Sequence, residues 1–282
     1  MQATPSRTCE ITAIMRALHQ AVDHEPKILV DAIAPQLIES ADRLDDRLLP
    51  TLRHSFAKRW RAGFVLRSRY AEDCLADAVG QGAGQYLILG AGLDTFAYRQ
   101  PAWANSLRIY ELDHPATQSW KRNRLAASNI DVPPNLTFVP LDFEDISLAD
   151  ALHAVNFSYT SKTFCSWLGV TPYLTATAIH ATLEFMLSFP PTSEIVFNFV
   201  LPADAVSGIE AEAMMLTAQK CAEAGEPWLT SFLPDNLTGV LTAIGFRDVI
   251  HLTPDEANRR YFRHRRDGLE ARLGERLVRA IV

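Results

Sequence analysis

Four cysteines, Cys9, Cys74, Cys165 and Cys221, are scattered along the 282 residues, and no two of them stand in a C-x-x-C pair. That spacing argues against a zinc ribbon or a disulfide framework and fits a reducing, cytoplasmic compartment. The histidines supply no pair at metal-ligand spacing, so no metal site is expected. No apolar run approaches the ~20 residues that a membrane helix needs. The N-terminal stretch lacks a cationic start followed by an apolar block, so neither a membrane partner nor a signal peptide is expected. Cationic excess is missing too. The formal net charge is −6, which argues against sequence-independent nucleic-acid binding, a mode that depends on clustered Lys and Arg. There is no Tyr-x-x-x-Lys relay, and no compelling Ser-His-Asp, Cys-His or paired-carboxylate set.

What is present is the composition of an ordinary soluble globule, 48% hydrophobic and 21% charged. The length suits one large domain or a domain with an appended cap. Up to residue 82 no strand pattern occurs. CEITAIMRALHQAV has helical spacing, DAIAPQLIES and RLLPTLRHS predict short helices broken near Pro35 and Pro50, and FAKRWRAGFVLRSRYAEDCLADAV predicts a long one ending in GQGAG. Beyond Gln85 the pattern alternates. Strands are predicted at 86–90, 107–113, 135–143, 161–169, 193–201 and 245–253, with helices over HPATQSWKRNRLAAS, TATAIHATLEFMLSF and AVSGIEAEAMMLTAQKCAEAG. LDTFAYR, after the first strand, is expected to open another helix. This is the signature of a mostly parallel sheet covered on both faces. The expected organisation is a helical cap over 1–82 and an α/β domain over 83–282, packed as one unit.

In such a sheet, ligands bind beyond the carboxyl ends of the strands. YLILGAGLDTFAYRQ places Gly90, Ala91 and Gly92 there, and Asp113 ends the next strand about 20 residues on, the spacing at which a carboxylate meets ribose hydroxyls. A third glycine would normally let a pyrophosphate press against a helix N-terminus; this loop has Thr95, preceded by Asp94. An aspartate would repel a pyrophosphate and tolerate a sulfonium. In PLDFED, Asp142 has the chemistry to accept from an adenine amino group and Phe143 to cover the ring. S-Adenosylmethionine suits this set better than NAD.

GAGLDTFAYR, YELDHPATQSWKR, VPLDFED, SWLGVTPYLT and SFLPDNLTGVLTAIGF together resemble the leucine carboxyl methyltransferase family, in particular its bacterial O-methyltransferase branch related to polyketide-tailoring enzymes. EPKILVDAIAP and RSRYAED extend the likeness upstream, so that it spans about residues 25–265. The resemblance implies a class I methyltransferase, Rossmann-like fold of seven strands ending in a reversed hairpin, with the seventh strand expected within FRDVIHLTPDEANRRYFRH. It implies that Arg67 reaches the methionyl carboxylate of S-adenosyl-L-methionine, that Gly90, Ala91 and Gly92 lie against the cofactor, that Asp113 holds the ribose, and that Asp142 with Phe143 holds the adenine. Phosphatase-directed members carry a glutamate after the fourth strand; here Trp167 or Leu168 takes that place, which points away from phosphatase methylation and towards a small-molecule acceptor. Trp167 is accordingly expected at the cofactor.

Other residues divide between site and scaffold. Tyr173, after the fourth strand, is either an acceptor-positioning hydroxyl or a core tyrosine. Asn198, inside an apolar strand, must have a partner. Asp94 is expected to accept backbone hydrogens at a helix start, Arg99 to brace Asp94 or Glu111, His114 to begin a helix, and His180 to sit on a helix face. RRYFRHRRDGLEARLGERLVRA reads as a solvated helix face balanced by Glu270 and Glu275. Three functions stay open at this point: methyl transfer to an oxygen of a small metabolite, a carboxylate or an acidic hydroxyl and plausibly of polyketide type; an NAD-linked oxidoreductase; and a non-catalytic protein that keeps the fold and cofactor.

Overall fold

The computed structural model describes residues 6–38, 55–142, 147–272 and 274–282. The short helix expected over RLLPTLRHS falls almost wholly outside them, and Phe143 lies outside as well. Among the described residues, three helices precede the sheet: α1 (Arg7–Val22), α2 (Ala34–Leu37) and α3 (Ser55–Gly80). The strands are β1 (Gln85–Leu89), β2 (Arg108–Asp113), β3 (Leu136–Pro140), β4 (Thr163–Trp167), β5 (Glu194–Val200), β6 (Asp248–Leu252) and β7 (Glu275–Ile281). They form one sheet in the order β3-β2-β1-β4-β5-β7-β6. The first five are parallel, and β7 runs antiparallel between β5 and β6. Between the strands stand α4 (Pro115–Ala127), α5 (Leu148–His153), α6 (Ala176–Met186), α7 (Gly208–Glu223), α8 (Pro234–Ile244) and α9 (Pro254–Ala257).

Alternation along each strand divides the core into two layers, because successive side chains leave a strand on opposite faces. Tyr86, Ile88, Ile109, Phe164 and Val196 pack against α3 through Val65, Leu66, Ala71 and Leu75. Leu87, Leu89, Leu112, Cys165, Trp167 and Phe197 pack on the other face against α6 and α8 through Ile179, Leu183, Leu237 and Leu241. Several helices start where a side chain supplies a cap. Ser6 accepts from the Cys9 amide, Thr175 from the Ala178 amide, and His114 Nδ1 from the Ala116 amide just ahead of α4, whose first residue is Pro115. Each places an acceptor on an amide with no partner within its helix.

Three expectations are corrected. The seventh strand is β7, not part of 246–264. The arginine-rich C-terminal segment is not a solvated helix face: among the described residues it holds a short π-helical turn, Asn258–Phe262, and then β7. Leu277, Val278 and Ala280 are buried, and Arg279 Nε donates to Glu194 Oε2 on β5 at 2.7 Å. The arginines that hide a strand pattern in the sequence are its edge contacts in the fold. Finally, LDTFAYR does not open an α-helix; two 3₁₀ turns, Phe96–Tyr98 and Ala102–Ala104, follow β1.

Candidate active site

β1 and β4 are neighbours at the point where strand order reverses, the position at which open α/β sheets bind ligands. A cavity of about 530 Å³ opens there, within the range of roughly 300–1,000 Å³ typical of small-molecule sites. Its floor is the carboxyl ends of β1, β2, β4 and β5 together with the chain just past β3. Its walls are α1, α3, α7 and the residues following α7.

Arg67, Gly90, Ala91, Gly92, Asp113, Asp142 and Tyr173 all line this one cavity. Gly90 has φ +64°, and a Cβ added to it would come within 2.4 Å of Val170 Cγ2. Any side chain there would be strained and would close the floor. Asp113 turns its carboxylate back on the loop: Oδ2 accepts from the Gly92 amide and Oδ1 from the His114 amide at 2.7 Å. Burial outweighs those two donors and holds its pKa above the ordinary carboxylate value. Asp142 stands across from His114, with Oδ2 3.4 Å from Nε2.

Arg67 projects from α3 over the Phe64 ring, with Cζ 4.6 Å from its centroid, and lies 3.5 Å from Glu275 Oε1. Burial lowers its pKa, and the Glu275 charge opposes that shift. Gly169, with φ +75°, leaves room for the guanidinium, since a Cβ there would lie 2.8 Å from Nη2. Asn198 has the partners its burial demands. Its Oδ1 accepts from the Gly169 amide at 2.6 Å and its Nδ2 donates to Glu275 Oε1 at 3.0 Å. Glu275 also meets Arg272 at 3.3 Å. A guanidinium is thus held at the cavity wall by a frame drawn from β4, β5 and β7.

Trp167 is a correction. It is fully buried on the opposite face of β4, 6.2 Å from the Phe197 ring, and Leu168 is the residue that lines the cavity. The period of two explains it: Ser166 and Leu168 face the site, so Trp167 cannot. Arg99 braces neither Asp94 nor Glu111. It pairs with Glu72 and donates to Thr95 Oγ1 at 3.0 Å. Asp94 does accept from the Phe96 amide, at 2.8 Å, ahead of a 3₁₀ turn. Glu111 is buried away from the site and bonded to Lys121 at 2.7 Å.

Sequence reasoning missed part of the cavity wall. Cys9, Thr12 and Arg16 reach it from α1, and Cys221, Glu226 and Trp228 from the end of α7 and beyond. Nothing in their spacing links them to the glycine loop. Tyr173 Oη lies 3.5 Å from Cys221 Sγ, and burial, then Cys221, raises its pKa, so the phenol keeps its proton. Two 3₁₀ turns, Phe96–Tyr98 and Ala102–Ala104, and no α-helix lie between the glycine loop and β2, so the loop does not run directly into the helix N-terminus on which a dinucleotide fold seats its pyrophosphate.

A family model described as leucine carboxyl methyltransferase matches residues 9–187. YktD of Bacillus subtilis, a proposed S-adenosyl-L-methionine-dependent methyltransferase, is 34% identical over 288 residues, covering 94% of each chain. A protein of the same description from Mycolicibacterium paratuberculosis is 28% identical over 196 residues, covering 67% of this chain and 72% of that one. Among solved structures, a DUF574 family protein from Streptomyces avermitilis aligns with a TM-score of 0.60 at 13% identity, over 98% of this chain and 97% of that one. A proposed methyltransferase from Thermobifida fusca aligns with a TM-score of 0.58 at 15% identity, over 99% and 96%. These two structures bear on the fold alone.

Proposed function

Because the chain belongs to the leucine carboxyl methyltransferase family, we propose that it transfers the methyl group of S-adenosyl-L-methionine to an oxygen atom of a small-molecule acceptor. The observation that carries the reading is the convergence of Asp113, Asp142 and Arg67 on one cavity around a glycine loop that no α-helix directly follows. That set fits a nucleoside bearing an amino acid, with carboxylates for the ribose and adenine donors and a guanidinium for the amino-acid carboxylate.

Bound here, the cofactor supplies an electrophilic methyl carbon on a cationic sulfur. Asp113 would hold the ribose hydroxyls, its carboxylate already oriented by the Gly92 and His114 amides. Asp142 would accept from the adenine. Arg67, kept in place by Glu275 and the space at Gly169, would bind the methionyl carboxylate. The helices before β1 would act as the cap that excludes water, with α1 supplying part of the wall. Tyr173, holding its proton, would orient the acceptor by hydrogen bonding. Catalysis then comes mainly from alignment, with the reacting atoms held ~3 Å apart. A concave cavity of about 530 Å³ with Trp60, Phe64, Tyr173 and Trp228 in its lining favours a compact acceptor over a protein chain, and a polyketide-type metabolite is one class that fits.

Isothermal titration tests the reading. S-Adenosylhomocysteine should bind the wild-type protein and NADH should not. Asp113→Asn, which keeps the side-chain shape, should weaken S-adenosylhomocysteine binding by about 1.5–3 kcal/mol, the usual worth of hydrogen bonds to a charged group. Tight NADH binding without S-adenosylhomocysteine binding would reject the proposal, and unchanged affinity in the variant would remove Asp113 from the site.

A further inference from the structure

We infer that Glu226 is the proton acceptor in this cavity and that the methyl acceptor is a neutral aromatic hydroxyl, a phenol or enol, and not a carboxylate; the inference rests on the function proposed above. After α7 the chain turns at Gly225, φ +84°, and the Glu226 amide donates to the Cys221 carbonyl at 2.8 Å. This turn places the Glu226 side chain in the cavity lining, where Oε2 is buried and has no hydrogen-bond partner among the described residues. A carboxylate oxygen removed from water without a donor is costly, and a ligand that brings a proton donor relieves that cost.

The other acidic groups of the lining are already engaged. Asp113 accepts from Gly92 and His114, Asp94 from Phe96, and Glu275 from Asn198 with Arg67 and Arg272 beside it; Asp142 faces His114. Tyr173 and the thiols of Cys9 and Cys221 are all raised by burial and keep their protons, Cys9 to about 12. The charge of Glu226 adds to the shift at both thiols. Its carboxylate is therefore felt at the Gly92 end of the cavity, beside Cys9, and at the Tyr173 end, beside Cys221. Aromatic residues share the cavity lining with Glu226: Trp60, fixed by its indole N–H on Thr217 Oγ1 at 2.9 Å, with Phe64, Tyr173 and Trp228.

These features select among acceptors. A carboxylate would bring a second negative charge to Glu226. An ammonium would have to shed its hydration and lose a proton before attacking. A hydroxyl satisfies the lone oxygen at no such cost and is the nucleophile that gains from a base. As the hydroxyl oxygen forms its bond to the methyl carbon, its proton passes to Glu226 Oε2. The methyl–sulfur bond breaks with its electron pair remaining on sulfur, and the Glu226 acid later yields its proton to solvent. The methyl ether product has no O–H for Oε2 and leaves more readily.

The test compares 2-naphthol, 2-naphthoate, 2-methoxynaphthalene and 2-naphthylmethylamine by isothermal titration, against wild-type protein and Glu226→Gln, with S-adenosylhomocysteine present. Wild type should bind the naphthol at least tenfold more tightly than any of the other three. E226Q should reduce the naphthol–naphthoate ratio below threefold, through tighter naphthoate binding. Equal binding of naphthoate and naphthol to wild type, a ratio unchanged in E226Q, a preference for the amine that E226Q abolishes, or no binding of any probe would each overturn the inference. S-Adenosylhomocysteine is titrated alone in parallel. Its normal binding beside any of those results would leave the methyltransferase reading standing, and its failure to bind would remove both.

Discussion

Thr95 stands where a dinucleotide loop has its third glycine, and its hydroxyl serves a different purpose. It donates to Asp31 Oδ2 at 2.7 Å and accepts from Arg99 Nε at 3.0 Å, in a site where Thr95 is only 1% exposed. Replacing it with valine keeps the shape and leaves a buried donor and acceptor each short of a partner. Thr95→Val should therefore cost about 1–3 kcal/mol of stability, read as a lower urea midpoint, while S-adenosylhomocysteine affinity shifts by less than threefold because Thr95 does not line the cavity. The unusual residue is visible in the sequence, and so is its conflict with a pyrophosphate. Its partner is not: Asp31 sits in the segment between α1 and α2, and no local rule joins the two. Trp167 and Leu168 teach a related lesson. Adjacent residues on a strand face opposite ways, so a site assignment that is off by one residue moves a side chain from the cavity to the core.

At the scale of elements, α1 is an amphipathic helix whose pattern predicts a buried face but not what it covers. Arg16 gives the answer, since it donates to Asp31 at 3.1 Å and to the Leu93 carbonyl in the cavity loop. The helix is thus fastened to the loop whose glycines line the site. Arg16→Met should leave Asp31 with Arg99 as its remaining cation and cost about 3 kcal/mol, the low end for breaking a buried pair. Faster proteolytic cleavage within residues 7–22 and weaker S-adenosylhomocysteine binding should accompany it. Strands β1, β4 and β5 were legible because parallel strands buried on both faces read as largely apolar runs. β7 escaped because Arg276 and Arg279 interrupt its apolar pattern, and because a strand between two antiparallel neighbours is identified by its pairing, which the sequence does not display.

Across the whole molecule, buried ionic groups set how stability depends on pH. Burial alone would raise Asp23, but hydrogen bonds from His19 and Arg61 bring it below the ordinary carboxylate value; Asp31 is brought below it by Arg16, Arg99 and Thr95. Acids depressed in the folded state stabilise it fully above the unfolded value of about 3.9, and that contribution is lost as pH falls through the folded value. Glu72 and Asp113 are shifted the other way by burial. For them the folded state binds more protons, so stability grows as pH falls from neutral towards the unfolded value. Urea midpoints measured from pH 8 to pH 3 should pass through a maximum in the weakly acidic range and drop steeply below about pH 4. Asp23→Asn should be less stable throughout and show a shallower acid limb, since one of the linked protons is gone.

The alternation of strands and helices, the glycine loop at the end of the first strand and the aspartate that closes the second could be read from the chain alone, because each rests on short-range physics: side-chain period, backbone freedom at glycine, and fixed spacing along one element. Arg67 is singled out by the family resemblance and by no local rule. Only the tertiary structure decided that Asn198, Gly169 and Glu275 frame Arg67, that Thr95 belongs to Asp31, and that Glu226 looks into the cavity with an oxygen lacking a partner among the described residues. Those relations join segments far apart in the chain. They arise from the burial of charges that must find partners wherever the fold brings them, and neither periodicity nor spacing carries that information.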